Sequence, residues 1–413
     1  MILCSIFGTI ALMKHVRKEV LRPGMVVATD LVVNGKLIMP QGHVLTEKTI
    51  SRLDSYGVRS LRIEDPGFEV EELPLDAEIL FDEPESEGPD LSSVDDMLAA
   101  LTGITLSEDE QPDITVTQQE EPSHFEKLKS GKEFQEFRAA FTENVDSLKS
   151  EMNDIVEKNK PIDVDDMISN TLSIIKSQSN TFSVFDMLHN MRDFDDLTYT
   201  HSMNVAMICN VFAHWLGYGE KTIELATACG MLHDIGKLKI SDDIIKKPGK
   251  LTDEEFRMIK AHPLEGYHIL EKQDIDKRIK LAALEHHEKC DGSGYPMHLT
   301  REKIDGYAKI VAIADVYDAM TANRCYREGL CPFRVVEIFE DEGLHKYETS
   351  YIMTFLENVV NTYIDNRVML NDGSIGTVRW INKQRLSKPM IQMSDGSFIE
   401  LAKNRGLRIE KIL

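Results

Sequence analysis

Apolar positions change rhythm several times along the 413 residues. From Val26 to Val33 they read as a strand, Asn34-Gly35 as a hairpin turn, and Leu37-Ile38-Met39 as the partner strand. Thr46 is placed to cap a helix running to Tyr56, which Gly57 would end, and Val58 to Ile63 reads as a returning strand. This predicts a small α/β module over 13–65. Periodicity is lost over 66–122 and returns over 123–195, where Phe134, Phe137, Phe141, Val145 and Leu148 recur every three or four residues. Met152, Ile155 and Val156 extend the stripe. Such a stripe packs on neighbouring helices, or forms the seam of a parallel homodimer. Residues 196–362 are strongly helical in pattern. Over 363–413 alternation takes over, with turn signals at Asn371-Asp372-Gly373 and Ser394-Asp395-Gly396, predicting a small β-barrel-like segment or curled sheet.

Charge sharpens these boundaries. The net charge of −23 comes almost wholly from one tract: no Lys or Arg stands between Arg62 and Lys127, while 21 Asp and Glu do. That composition predicts a disordered acidic linker. The rest of the chain is nearly neutral, so the overall acidity does not argue against an anionic substrate. Residues 365–413 hold nine basic and five acidic residues, a solvated surface rather than a nucleic-acid footprint. No run is apolar for the roughly 20 residues a membrane span needs, and a cytoplasmic protein is expected. Met1 to Leu12 are apolar without a basic residue, unlike a signal peptide. They are expected to be a leader, or to precede a natural start at Met13. The six cysteines form no C-x-x-C pair and read as reduced thiols.

The chemistry concentrates in the helical region. Met231-Leu232-His233-Asp234-Ile235-Gly236-Lys237 closes an apolar helix with adjacent His and Asp. His201 begins another helical run, Met203 to Trp215. His262 follows a helix opened by the capping box Thr252-Asp253-Glu254-Glu255. His286 and His287 end the helix Ile275 to Leu284, and Asp315 lies inside the very apolar run Ile310 to Met320. From His233 onward the spacings are 29, 24 or 25, and 28 residues, about one helical hairpin each, so a bundle can bring the set together. An aspartate buried in such a run is costly without a partner or a metal. Imidazole mixed with carboxylate suits iron, manganese, cobalt, nickel or zinc better than calcium or magnesium. The bland alternative is a set of separately satisfied histidines with a surface aspartate. The histidines at 189, 214, 268, 298 and 345 fall outside these positions and read as structural or exposed.

His233-Asp234-Ile235-Gly236-Lys237, together with Asp291-Gly292-Ser293-Gly294-Tyr295-Pro296, resembles the HD-GYP family of the HD superfamily. The resemblance covers about residues 195–345 and is echoed in Ala314-Asp315-Val316-Tyr317-Asp318-Ala319-Met320-Thr321. It implies a mainly α, HD-superfamily helical bundle that binds divalent transition metals, iron or manganese, and hydrolyses cyclic di-GMP to linear pGpG and onward to GMP. It further implies metal ligands at His201, His233, Asp234, His262, His286, His287 and Asp315, with Asp234 bridging. Lys237 would contact a phosphate, as would Arg324 and Arg327. Gly294, Tyr295 and Pro296 would form the loop beside the substrate, with Tyr295 offering a face to a base. Three-metal members carry a glutamate one turn before the first histidine. Here that residue is Leu197, with Asp195 and Asp196 nearby, and two ions are expected. The rival readings are a non-catalytic cyclic di-GMP receptor and an HD hydrolase of another cyclic dinucleotide.

Overall fold

The computed structural model describes residues 12–17, 25–27, 31–33, 36–40, 42–53, 60–65, 131–177, 184–185, 187–188, 191, 197–245, 247, 251–322, 329–404 and 406–413. The acidic tract over 66–122 lies outside them.

The N-terminal strands are β1 (Leu12–Arg17), β2 (Val26–Val27), β3 (Leu31–Val33), β4 (Lys36–Met39) and β5 (Ser60–Asp65), with one helix, α1 (Glu47–Arg52). They form an antiparallel sheet in the order β1-β5-β2 and a two-stranded hairpin of β3 and β4. The stretch expected as one strand, Val26 to Val33, is thus two strands in different sheets. β1 begins at Leu12, opposite Asp65 of β5, while the rest of the expected leader, residues 1–11, lies outside the described residues. Thr46 caps α1 through a reciprocal box with Thr49. The helix has a C-cap at Leu53, short of the expected Tyr56. Val27, Met39, Leu45 and Leu53 are the buried core of this module.

The second unit opens with α2 (Lys132–Lys158) and α3 (Val164–Ser177). Phe134, Phe137, Phe141, Val145, Leu148, Met152 and Ile155 of α2 are all buried within the chain. The stripe is therefore core, and a dimer would need another face.

The bundle proper comprises α4 (Leu197–Trp215), α5 (Glu220–Leu232), α6 (Asp242–Ile245), α7 (Asp253–Lys260), α8 (His262–Leu270), α9 (Lys277–Glu285), α10 (Gly306–Thr321), α11 (Pro332–Ile338), α12 (Leu344–Lys346) and α13 (Thr349–Asn361). A 3-10 turn, Ile235–Lys239, follows α5, and a π turn, Phe339–Gly343, links α11 to α12. α10 is buried on every side, Asp315 and Asp318 included, as befits the central helix of a bundle. Two close backbone approaches shape the site. A Cβ on Gly236 would overlap the carbonyl oxygen of His262 and the amide of Gly266, so the 3-10 turn lies directly on the start of α8. A Cβ on Gly294 would likewise collide with the backbone of Glu288 and Lys289.

The chain ends in five antiparallel strands, β6 (Arg367–Leu370), β7 (Ile375–Trp380), β8 (Met390–Met393), β9 (Phe398–Glu400) and β10 (Ile409–Ile412), in the order β10-β6-β7-β8-β9. β9 and β10 are its two edges, so among the described residues it is an open sheet and not a closed barrel. At both expected turns an aspartate, Asp372 or Asp395, accepts hydrogen bonds from the serine two residues on. Glu337 of α11 ties the sheet to the bundle, 2.8 Å from Lys388, and Arg334 reaches it from one turn earlier at 2.6 Å.

Candidate metal centre

Helix ends supply most of the donors. His233 and Asp234 follow α5, His262 opens α8, His286 caps α9 with His287 next, and Asp315 projects from the middle of α10. His201 sits in the second turn of α4, a helix that begins at Leu197 and not near Met203. The last carbonyls of a helix lack intrahelical partners, and three of these histidines use them. Nδ1 of His233 donates to Gly230 O at 2.7 Å, Nδ1 of His262 to Ile259 O at 2.7 Å, and Nδ1 of His286 to Ala283 O at 3.0 Å. Each bond fixes the proton on Nδ1 and leaves the Nε2 lone pair facing inward.

All seven expected ligands converge. Three overlapping sets have donor atoms within 4.8 Å of one another: His262, His286 and His287; His201, His233 and Asp315; and His233, Asp234 and His286. Asp234 divides its oxygens between them. Its Oδ1 lies 3.2 Å from His262 Nε2 and 3.7 Å from His286 Nε2, while its Oδ2 lies 3.4 Å from His233 Nε2 and 3.6 Å from His201 Nε2. Asp315 spans the same gap, with Oδ1 3.0 Å from His201 Nε2 and Oδ2 3.8 Å from His287 Nδ1. Lys237 Nζ bonds to Asp234 Oδ2.

Electrostatics favours the ligating form of four of these donors, Asp234, Asp315, His286 and His287. Burial opposes ionisation of Asp234, but Lys237, His233 and His262 overcome it and hold its carboxyl well below the usual range. Asp315 is held low in the same way by His201, His287 and His233. Burial, then the neighbouring imidazoles, keeps His286 and His287 neutral. His201 differs: burial opposes its protonation, but hydrogen bonds to Asp315 and Asp318 raise it to about 9. The cluster thus attracts positive charge.

Three of its atoms, His233 Nε2, Asp234 Oδ1 and His287 Nδ1, are buried without a hydrogen-bond partner. Orphaned polar atoms of this kind are rare and costly. Neutral imidazoles, ionised carboxylates and unclaimed lone pairs directed at one another fit divalent transition metals.

Sequence reasoning missed Asp318. It lies one turn after Asp315 on α10; its Oδ2 is 2.7 Å from His201 Nδ1, and its Oδ1 accepts from Asn204 Nδ2 at 3.0 Å. The three-residue spacing from Asp315 was the available signal.

The substrate-side residues fare less uniformly. The Gly294-Tyr295-Pro296 loop is pinned by Glu288, whose carboxylate accepts from the amides of Met297 at 2.6 Å and Leu299 at 2.9 Å. Tyr295 is only 6% exposed, its ring stacked on His287 with centroids 4.7 Å apart. It stands as a wall behind the histidines, with the face toward His287 already covered. Arg324 and Arg327 lie outside the described residues, as do Asp195, Asp196 and His189. Cys209, Cys229 and Cys290 are buried free thiols.

Residues 164–350 match the HD domain family. The chain is 31% identical over 204 residues to a cyclic di-GMP phosphodiesterase of Pseudomonas aeruginosa, 49% of each chain. Identity is 42% over 124 residues with the cyclic di-GMP phosphodiesterase response regulator RpfG of Xanthomonas campestris pv. campestris, 29% of this chain and 32% of that one. It is 36% over 164 residues with 3'3'-cGAMP-specific phosphodiesterase 2 of Vibrio cholerae, 39% of this chain and 31% of the relative. The chain thus spans about half the length of these curated relatives, or less. Bd1817, an HDG"Y"P protein from Bdellovibrio bacteriovorus, aligns with 17% identity and a TM-score of 0.40 over 84% of this chain and 99% of that one. No helix among the described residues is long and apolar enough to cross a membrane.

Proposed function

We propose that this chain is a metal-dependent phosphodiesterase that opens cyclic di-GMP to linear pGpG, with GMP as the product of a second cut, in bacterial second-messenger signalling. The observation that carries this reading is the division of Asp234, one oxygen toward His262 and His286 and the other toward His233 and His201. A shared carboxylate between two donor sets is what a two-ion phosphodiesterase requires. His201, His233 and Asp315 would hold one ion and His262, His286 and His287 the other, with Asp234 common to both. Iron or manganese suits this mixture of nitrogen and oxygen donors. When bound, such ions supply Lewis acidity and a water of lowered pKa.

The protein's own groups do the rest. Hydrolysis joins a water oxygen to phosphorus and breaks the bond to the ribose 3′ oxygen, which takes up a proton. Negative charge grows on the phosphoryl oxygens during that exchange. Lys237, anchored to Asp234, is a cation held beside where that charge would build. Arg324 and Arg327 are assigned to the phosphates by the family resemblance alone. The rigid wall of His287 and Tyr295 excludes water from one side of the centre.

The relatives include enzymes named for cyclic di-GMP and for 3'3'-cGAMP, so the base specificity has to be measured. The test is to load the chain with iron or manganese anaerobically, incubate it with a panel of cyclic dinucleotides, and separate the products by chromatography. Release of pGpG, lost in Asp234→Ala together with bound metal, is the expected result. Binding without turnover would make the chain a receptor, and turnover of 3'3'-cGAMP alone would move the specificity.

A further inference from the structure

Lys260 ends α7 two residues before His262. A lysine in a helix's last turn is favoured by the helix dipole, and that accounts for its backbone position. It does not account for the side chain. The ammonium stands 4.8 Å from the centre of the Tyr295 ring and 5.7 Å from that of Phe256. Lys260 is partly buried there, although a side chain of that length at a helix end could reach water. Among the described residues no carboxylate pairs with it.

The acids that could pair with it are taken. Asp253, Glu254 and Glu255 lie in the first turn of α7, at its far end, and Glu255 is held by Lys247 at 2.6 Å. Asp234 and Asp315 are occupied by the histidines and Lys237. Burying an unpaired ammonium carries a cost that aromatic faces offset only in part. A cation kept in that state beside the metal centre fits a ligand that brings its own anion.

The geometry also says which anion. The ammonium lies against the Tyr295 ring, and that ring lies against the His287 imidazole with centroids 4.7 Å apart, so Lys260 neighbours the donor cluster through Tyr295. The Tyr295 hydroxyl is buried without a partner in the same neighbourhood. A phosphodiester being cut must sit on the donor cluster itself, beside Lys237. A cyclic dinucleotide carries a second phosphodiester across its ring, one nucleoside away.

Resting on the phosphodiesterase reading above, we propose that Lys260 is a substrate-binding residue that receives the phosphodiester not being cut. It thereby favours cyclic dinucleotides over substrates with a single diester.

The test uses the full metal-loaded chain, with metal content measured first, and compares wild type, Lys260→Met and Lys260→Arg. Two substrates are used, cyclic di-GMP and bis(4-nitrophenyl) phosphate, which has one phosphodiester. Binding of cyclic di-GMP is followed by calorimetry in parallel. Loss of one charge-assisted contact predicts that K260M lowers the preference for cyclic di-GMP about tenfold, through KM rather than kcat, and that K260R restores most of it. An unchanged preference, or equal loss on both substrates that arginine does not rescue, overturns the assignment. A wild type that binds cyclic di-GMP but cuts nothing refutes the phosphodiesterase reading alone. In that case the lysine stands if K260M weakens binding about tenfold and falls if it binds as tightly as wild type.

Discussion

Asp318 Oδ2 lies 2.7 Å from His201 Nδ1, and Asn204 Nδ2 holds the other oxygen of the same carboxylate at 3.0 Å. The pair bolts α4 to α10 and turns His201 Nε2 toward Asp315. Such carboxylate–histidine pairs behind a metal site govern affinity although they do not touch the ion. Asp318→Ala is expected to weaken metal binding about 10- to 100-fold with the fold intact, measured by metal titration and circular dichroism. Unchanged affinity would show that His201 does not need this brace.

The two donor sets make a stoichiometric prediction. His262→Ala removes a donor from one set and His201→Ala from the other, with Asp234 left in both variants. Each is expected to lower bound metal from about two ions per chain to about one, read by elemental analysis, and to abolish turnover, because in-line displacement by this mechanism uses both ions together. Loss of all metal in either variant would mean that the sets are one indivisible site.

Gly236 offers a test of backbone approach. A methyl group there meets backbone of His262 and Gly266, and neither can yield without moving α8. Gly236→Ala is expected to cost about 3 kcal/mol in urea unfolding and to lower metal content, since Asp234 and His262 would separate. A variant of wild-type stability would show that α8 can slide on the turn.

Glu337 gives a pH dependence away from the metal. Burial opposes its ionisation, but Lys388 and Arg334 hold its pKa below the ordinary glutamate value. A carboxyl lowered on folding stabilises the protein above its unfolded pKa, and that contribution is lost as pH falls through the folded value. Glu337→Gln is therefore expected to cost about 2 kcal/mol at pH 7 and progressively less as pH falls below the ordinary glutamate value, followed as the unfolding midpoint at pH 7 and in acid. An equal cost at both would assign the effect to packing.

The seven converging side chains were legible because they lie in motifs whose order survives without any knowledge of the fold. Asp318 stood in view inside Ala314-Asp315-Val316-Tyr317-Asp318, yet nothing local says that its partner is His201, 117 residues away. The α2 stripe was legible as an amphipathic face, but periodicity does not say whether the same chain or a second copy covers it. Tyr295 was legible as an aromatic beside the site. Its burial against His287 depends on Glu288 drawing back the amides of Met297 and Leu299, which is loop geometry that no spacing rule encodes. The single strand expected over Val26 to Val33 divided because alternation alone does not assign a strand to a sheet.

Three imidazoles are aimed by main-chain oxygens at the ends of α5, α7 and α9, and not by other side chains. Their direction is inherited from the helices and persists whether or not a cation is present. Capture of an ion then needs no rearrangement of these rings, and rates of uptake should follow diffusion and dehydration. Discrimination between ions follows as well: a cage whose walls are helix ends resists shrinking or swelling to suit its guest, so an ion of the wrong radius is refused by rigidity in addition to donor chemistry.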